Sequence, residues 1–270
     1  MNVIFLIARD SIRALLHQRL LIALILVSLA MTVVASILMN FERREINDRF
    51  LDSAQTNSSI DKNMSDEDKR RMQESMEQGV SAIEAFFYAA GSFGGSLVSL
   101  FIFGTAVSSE IRRGTIRLTL SKPVSRVQYL LGKYLGGVVV MAGYAIIASL
   151  AMLLFSASSH VDISPVMKWA PWLMFCRQLM LGSLAMLLSL FMHPAIAGAL
   201  AFFAGNGFYS ISNPLYYLFP SYAPFNVFLK ILEGSIMGGH DVVLLTLYAV
   251  DFVILMLLLA WWRFQRKEVC

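Results

Sequence analysis

The chain has little of what a soluble enzyme needs. Only 15% of its 270 residues are charged, against 57% apolar, and the mean hydropathy is +0.64. That balance excludes an ordinary water-soluble domain. There are two cysteines, Cys176 inside an apolar run and Cys270 at the last position. Neither a disulfide framework nor a metal-ligand spacing follows from such a pair. The histidines, His17, His160, His193 and His240, are scattered, with no two at ligand spacing. No nucleophile–base set and no glycine-framed serine occurs, which argues against covalent catalysis. The net charge is +4, but the basic residues flank apolar runs, where anionic lipid attracts them. They are no signal for nucleic acid. A cleavable signal peptide is not expected, because the first apolar run starts near residue 20 and is span-length.

What the chain does have is long apolar runs. Crossing a bilayer as a helix takes about 20 apolar residues. Six runs qualify, at 20–39, 86–107, 129–155, 170–192, 195–212 and 242–262. They are continuously apolar, whereas barrel strands alternate, so the expected fold is an all-α integral membrane protein with six transmembrane helices. The fifth run is short, follows Pro194, and contains Gly198, Gly205, Asn206 and Gly207.

Between the runs the composition changes. Residues 1–19 are amphipathic, with Phe5, Ala8, Ile12, Leu15 and Leu16 at helical spacing. They read as an interfacial helix lying on the bilayer, or as a cytosolic extension of the first span. Residues 40–85 form an extracytoplasmic, largely helical insertion. Ser65 and Asp68 resemble a capping box, so a helix is expected from about 66 into the second span. Met72, Met76, Val80 and Ile83 make one stripe of it, for packing rather than metal. Residues 52–64, rich in Ser, Asn and Asp, read as the flexible part. An outer loop spans 156–169, and 213–241 is an outer, re-entrant aromatic segment broken by Pro214, Pro220 and Pro224. Residues 263–270 form a tail.

The most distinctive stretch runs from Ser108 to Lys133. It holds six bases, Arg112, Arg113, Arg117, Lys122, Arg126 and Lys133, against one acid, Glu110. Positive charge in a short loop beside spans marks the cytoplasmic side. Segments 1–19, 108–133 and 263–270 together hold twelve bases and three acids. Both termini are therefore expected inside. Pro123 ends whatever helix precedes it. Ser125 and Gln128 can form a capping box for the third span. Residues 109–121 suit a short surface helix, with Glu110 pairing with Arg113, Arg117 or a partner. Arg126 falls at a helix N-terminus, which the dipole disfavours, so an external anion is expected there. The plainer alternative is a merely topogenic basic loop.

This loop carries a resemblance. Glu110-xxx-Gly114-Thr115, then Pro123-x-Ser125-Arg126, then Gly132-Lys133 opening a span, is similar to the pattern of ABC-2 type transporter permeases. The closest likeness is to the branch of multi-copper-enzyme maturation permeases. The resemblance implies a permease subunit of an exporter in the bacterial cytoplasmic membrane, working with a separate cytosolic ATPase subunit. It implies a homodimer or a closely related heterodimer. Glu110, Arg112, Arg113, Gly114, Thr115, Arg117, Pro123, Ser125 and Arg126 would then couple the chain to the ATPase. The chain has no G-x-x-x-x-G-K-[ST] loop, so no cofactor is expected on it, ATP and magnesium belonging to the ATPase. Membrane lipid is a further expected partner, and an extracytoplasmic protein at 41–85 another. Two rivals stay open: an anchor that transmits ATPase motion outward, and an ion-coupled transporter using Asp251.

Three polar residues stand out within spans: Asp251, Arg177 and Asn206. Asp251 is about ten residues into the last one, near the midplane. A charge there costs at least about 2.5–3.5 kcal/mol, so it should face protein or water. Arg177 falls at similar depth in the fourth span, which suggests that the two pair or that one lines a path. Asn206, between Gly205 and Gly207, marks a kink, a cavity wall or a packing point. Gly91/Gly95 and Gly132/Gly136 have the spacing that lets helices approach closely.

Overall fold

The structure is a computed structural model describing residues 3–19, 21–27, 30, 34, 66–116, 124–159, 165–206, 222, 225, 227–232 and 237–266. Within these, only the backbone is described for residues 66–84, 87, 152, 154–159, 165–167, 206, 228, 229 and 232. Among the described residues the elements are helices joined by short turns, without strands. In chain order the helices are α1 (Val3–Leu16), α2 (Asp66–Ala106), α3 (Ser108–Arg113), α4 (Arg126–Ser159), α5 (Pro165–Ser189), α6 (Pro194–Asn206), α7 (Val227–Leu232) and α8 (Gly239–Arg266).

Among the described residues four stretches are long and apolar enough to cross a membrane: Tyr88–Ala106 in α2, Arg126–Ala151 in α4, Lys168–Ser189 in α5, and α8. The run at 195–212 is represented by α6, which has 13 residues and falls short of a span. Residues 207–212 lie outside the described residues. Of the run at 20–39, the described part includes a helical stretch at 21–27. The insertion before residue 66, including Ser65, also lies outside.

Helix α2 starts at Asp66, and its 41 residues continue into the apolar stretch. At 1.5 Å per residue it is about 60 Å long, twice the thickness of a bilayer core. Helix α5 is the hub, packed against α2, α4, α6, α7 and α8. Glycines set how close these neighbours come. A Cβ on Gly182 of α5 would run into the ring of fully buried Phe103 of α2. One on Gly205 of α6 would meet Leu181 of α5.

Both small-residue pairs form close contacts. Gly95 lies under the Gln178 side chain, and Gly91 faces Met174. The partner of Gly132 and Gly136 is α1: a Cβ at Gly132 would lie 2.7 Å from Ile7, and at Gly136 2.8 Å from Ser11. Helix α1 therefore packs along α4. Its Ala8, Ser11 and Leu15 are buried, while Phe5, Leu6 and Leu16 stay exposed. The helix turns its smallest residues toward α4 because glycines there admit backbone, and leaves its bulkiest ones outward.

The described part of the aromatic segment folds back onto the bundle. Tyr222 and Phe225 are buried, meeting Phe252 edge-on and Tyr248 in a stack. The Tyr88 hydroxyl donates to the Phe225 carbonyl at 2.8 Å. These two rings face protein. Of 213–241, residues 213–221, 223, 224, 226 and 233–236 lie outside the described residues.

Candidate functional site

One end of the bundle gathers α3, the start of α4, the α5–α6 turn, the end of α8 and α1. The segments 108–128 and 263–266 thus share an end, as their common basic character led one to expect.

Helix α3 follows α2 after the single residue Val107. Ser108 and Ser109 donate to the Gly104 and Thr105 carbonyls, which continues the helical path. It stops at Gly114, whose φ of 72° is left-handed and whose N–H bonds the Ile111 carbonyl. Glycine suits that cap because it has no Cβ to strain. Thr115 Oγ1 then donates to the Glu110 carbonyl at 3.4 Å, and Ile116 is fully buried.

Glu110 is held from inside the chain. Its Oε2 accepts from the Tyr129 hydroxyl at 2.6 Å, and its Oε1 forms an ion pair with Lys133 Nζ. Lys133 also lies over the Tyr129 ring, 5.8 Å from its centre. Among the described residues these partners stand in place of the expected Arg113; Arg117 lies outside them. Both Glu110 and Lys133 are only partly exposed, at 25% and 12%. A carboxylate so enclosed needs a fixed cation and donor to offset lost water. The first and last residues of the motif are therefore each other's partners, joining α3 to α4.

A second tie comes from Arg112, whose Nη1 lies 2.7 Å from His193 Nε2 in the α5–α6 turn. Sequence reading gave His193 no role. Its only signal was its place beside Pro194 between two apolar runs. Arg113 is exposed, as is Gly114. Arg117 and Pro123 lie outside the described residues.

Ser125 and Gln128 form the reciprocal capping box. The Ser125 N–H donates to Gln128 Oε1 at 3.1 Å, and the Gln128 N–H to Ser125 Oγ at 3.2 Å. The external anion expected at Arg126 gives way to internal acceptors. Its Nη1 donates to the Phe264 and Gln265 carbonyls, both at 2.9 Å, and its guanidinium lies over the Phe264 ring. The end of α8 leaves carbonyls without helical partners and carries the negative end of its dipole. That compensates the unfavourable place of Arg126 at the start of α4.

The intramembrane polar residues do not come together. Arg177 is buried and donates to Ser92 Oγ at 2.5 Å. Asp251 is exposed, and forms neither a hydrogen bond nor an ion pair among the described residues. The proposed Asp251–Arg177 pair is therefore absent: equal depth placed them level, but they point to different sides of the bundle. Asn206 is the last residue of α6. Among the described residues no group of three His, Cys, Asp or Glu is arranged to hold a metal ion.

The fold and this basic, internally latched end define a class: a multi-pass helical membrane protein. The sequence matches the family described as "ABC-2 family transporter protein" over residues 5–269. The chain belongs to that family. No curated protein is matched.

Proposed function

We propose that the chain is the permease subunit of an ATP-driven exporter, with a separate ATPase binding at the α3 end. The membrane would be the bacterial cytoplasmic membrane, with that end and both termini inside. A second permease, identical or closely related, would complete the working unit. ATP and magnesium would sit on the ATPase, and the chain would fall in the branch of multi-copper-enzyme maturation permeases.

The observation that carries this reading is the double fastening of α3. Glu110 ties it to α4 and Arg112 ties it to the α5–α6 turn. A push on α3 is thereby passed to α2, α4 and the hub helix α5 together. In this reading Glu110 and Arg126 are positioning residues, and exposed Arg113 meets an acidic surface on the ATPase.

The test is co-purification. The chain is expressed with the ATPase encoded nearest to it and extracted in mild detergent. Wild type should capture the ATPase, Arg113→Glu should weaken capture, and Glu110→Gln should keep capture while reducing stimulation of ATP hydrolysis. A chain isolated cleanly without ATPase would overturn the proposal and favour an ion-coupled transporter.

A second reading rests on α2. Its 41 residues form one rod from the acidic insertion to α3. Such a rod suits an anchor that transmits ATPase motion to an extracytoplasmic partner. A chain that captures ATPase but moves no substrate in vesicles would favour it.

A further inference from the structure

Asp251 occupies a place that lipid does not suit. It lies twelve residues after Gly239 and fifteen before Arg266, in the middle of α8. It is exposed and makes no hydrogen bond or ion pair among the described residues. Leu244, Leu247, Leu255, Leu258 and Trp262 fall within about 40° of it around the helix. All five are exposed, by 48–61%. The result is one long apolar stripe with a single carboxyl at its centre. A carboxyl at midplane depth belongs against protein or water, not hydrocarbon. The surface is a convex helix face and not a cleft, so it fits another helix better than a small molecule.

We propose that this stripe docks a transmembrane helix of a different membrane protein, one that presents an Arg or Lys at midplane depth between apolar residues. Charge complementarity selects this occupant. A second copy related by a two-fold axis along the bilayer normal would set Asp251 against its own like charge. The next cations on α8, Arg263 and Arg266, lie about 18 and 22 Å further along the helix, too far to answer it. Arg177 of a second copy is buried in its own bundle. A buried donor or cation from a non-identical helix satisfies the carboxylate and fixes the register of the pair. The inference does not rest on the ATPase reading. A chain that captures its ATPase yet fails the test below loses this inference alone.

The test uses the full chain in phosphatidylcholine vesicles, with a fluorescent donor on Cys270. Acceptor-labelled polyleucine transmembrane peptides carry Arg, Leu or Glu at their centre. The Arg peptide should associate about tenfold more tightly than the Leu peptide. Asp251→Leu should erase that preference, and Asp251→Arg should transfer it to the Glu peptide. Equal association of the three peptides would overturn the proposal, as would a preference that survives Asp251→Leu. So would cross-linking of two copies through Leu255→Cys that Asp251→Leu abolishes, since the occupant would then be a second copy.

Discussion

Helices α5 and α8 both have the length and composition of a membrane span, yet they are built oppositely. In α8, 22% of the span is buried; in α5, 72%. Helix α8 is the most apolar of the four candidates, and α5 shares the lowest hydropathy with α2. The buried polar residues of α5 are Arg177, Gln178, Ser183 and Ser189, all 5% exposed or less. In water the more apolar helix would be the core. In a bilayer lipid solvates apolar side chains as well as protein does, so nothing drives leucine inward. What must be buried is the polar group and the glycine that lets backbones meet. Hydropathy therefore runs inversely to burial across the four spans, and Asp251 is the residue of α8 that breaks the rule.

The largest effect should come from filling the hub. Gly182→Leu on α5 drives a side chain into Phe103, which is fully buried and has nowhere to move. Overpacking of this kind costs about 1–3 kcal/mol and sometimes more. Thermal unfolding in detergent should show a large drop or a failure to fold. Wild-type stability in this variant would mean that α2 and α5 pack less closely than described, and the contrast with α8 would lose its basis.

Next is the latch between α3 and α4. Lys133→Met leaves Glu110 partly enclosed without its cation, a loss of about 1.5–3 kcal/mol for a charge-assisted bond. Tyr129→Phe should cost about 1 kcal/mol. Both act through one carboxylate, so the double mutant should not be additive. Stability of all three in detergent gives the coupling energy. Additive losses would mean that Glu110 does not join the two.

Arg126→Gln should cost about 1 kcal/mol, because it uncaps α8. The loss should be local. Hydrogen exchange should quicken in the last turn of α8, around Phe264–Arg266, while α5 stays protected. Uniform quickening would show that the α3 end and the hub unfold as one unit.

How much of this was legible in the sequence depended on range. The Ser125–Gln128 box was readable because it closes over three residues. Glu110 and Lys133 stood out as the ends of a motif, but they lie 23 positions apart. Nothing local told that they were partners. Gly132 and Gly136 announced a contact face without naming α1. The Asp251–Arg177 pair failed for a definite reason. Counting residues along two helices gives depth, and pairing also needs azimuth. In α8 the apolar residues surround the axis, so no polar contrast shows which side faces protein.

The smallest effects sharpen the comparison most. Val243 and Val250 of α8 are 58% and 50% exposed and lie about 80° and 100° around from Asp251. If that side meets only lipid, Val243→Ala and Val250→Ala remove contacts that lipid replaces, and each should stay within about 0.5 kcal/mol of wild type. A smaller truncation at Leu181 of α5, Leu181→Val, which removes one carbon where Val→Ala removes two, should still cost more, about 1 kcal/mol, because Leu181 is fully buried against Gly205 and leaves a cavity that lipid cannot enter. Stability in lipid nanodiscs measures all three. Equal losses at the α8 and α5 positions would mean that the α8 face is covered by protein beyond the Asp251 stripe, and its high hydropathy would then reflect an interface rather than lipid.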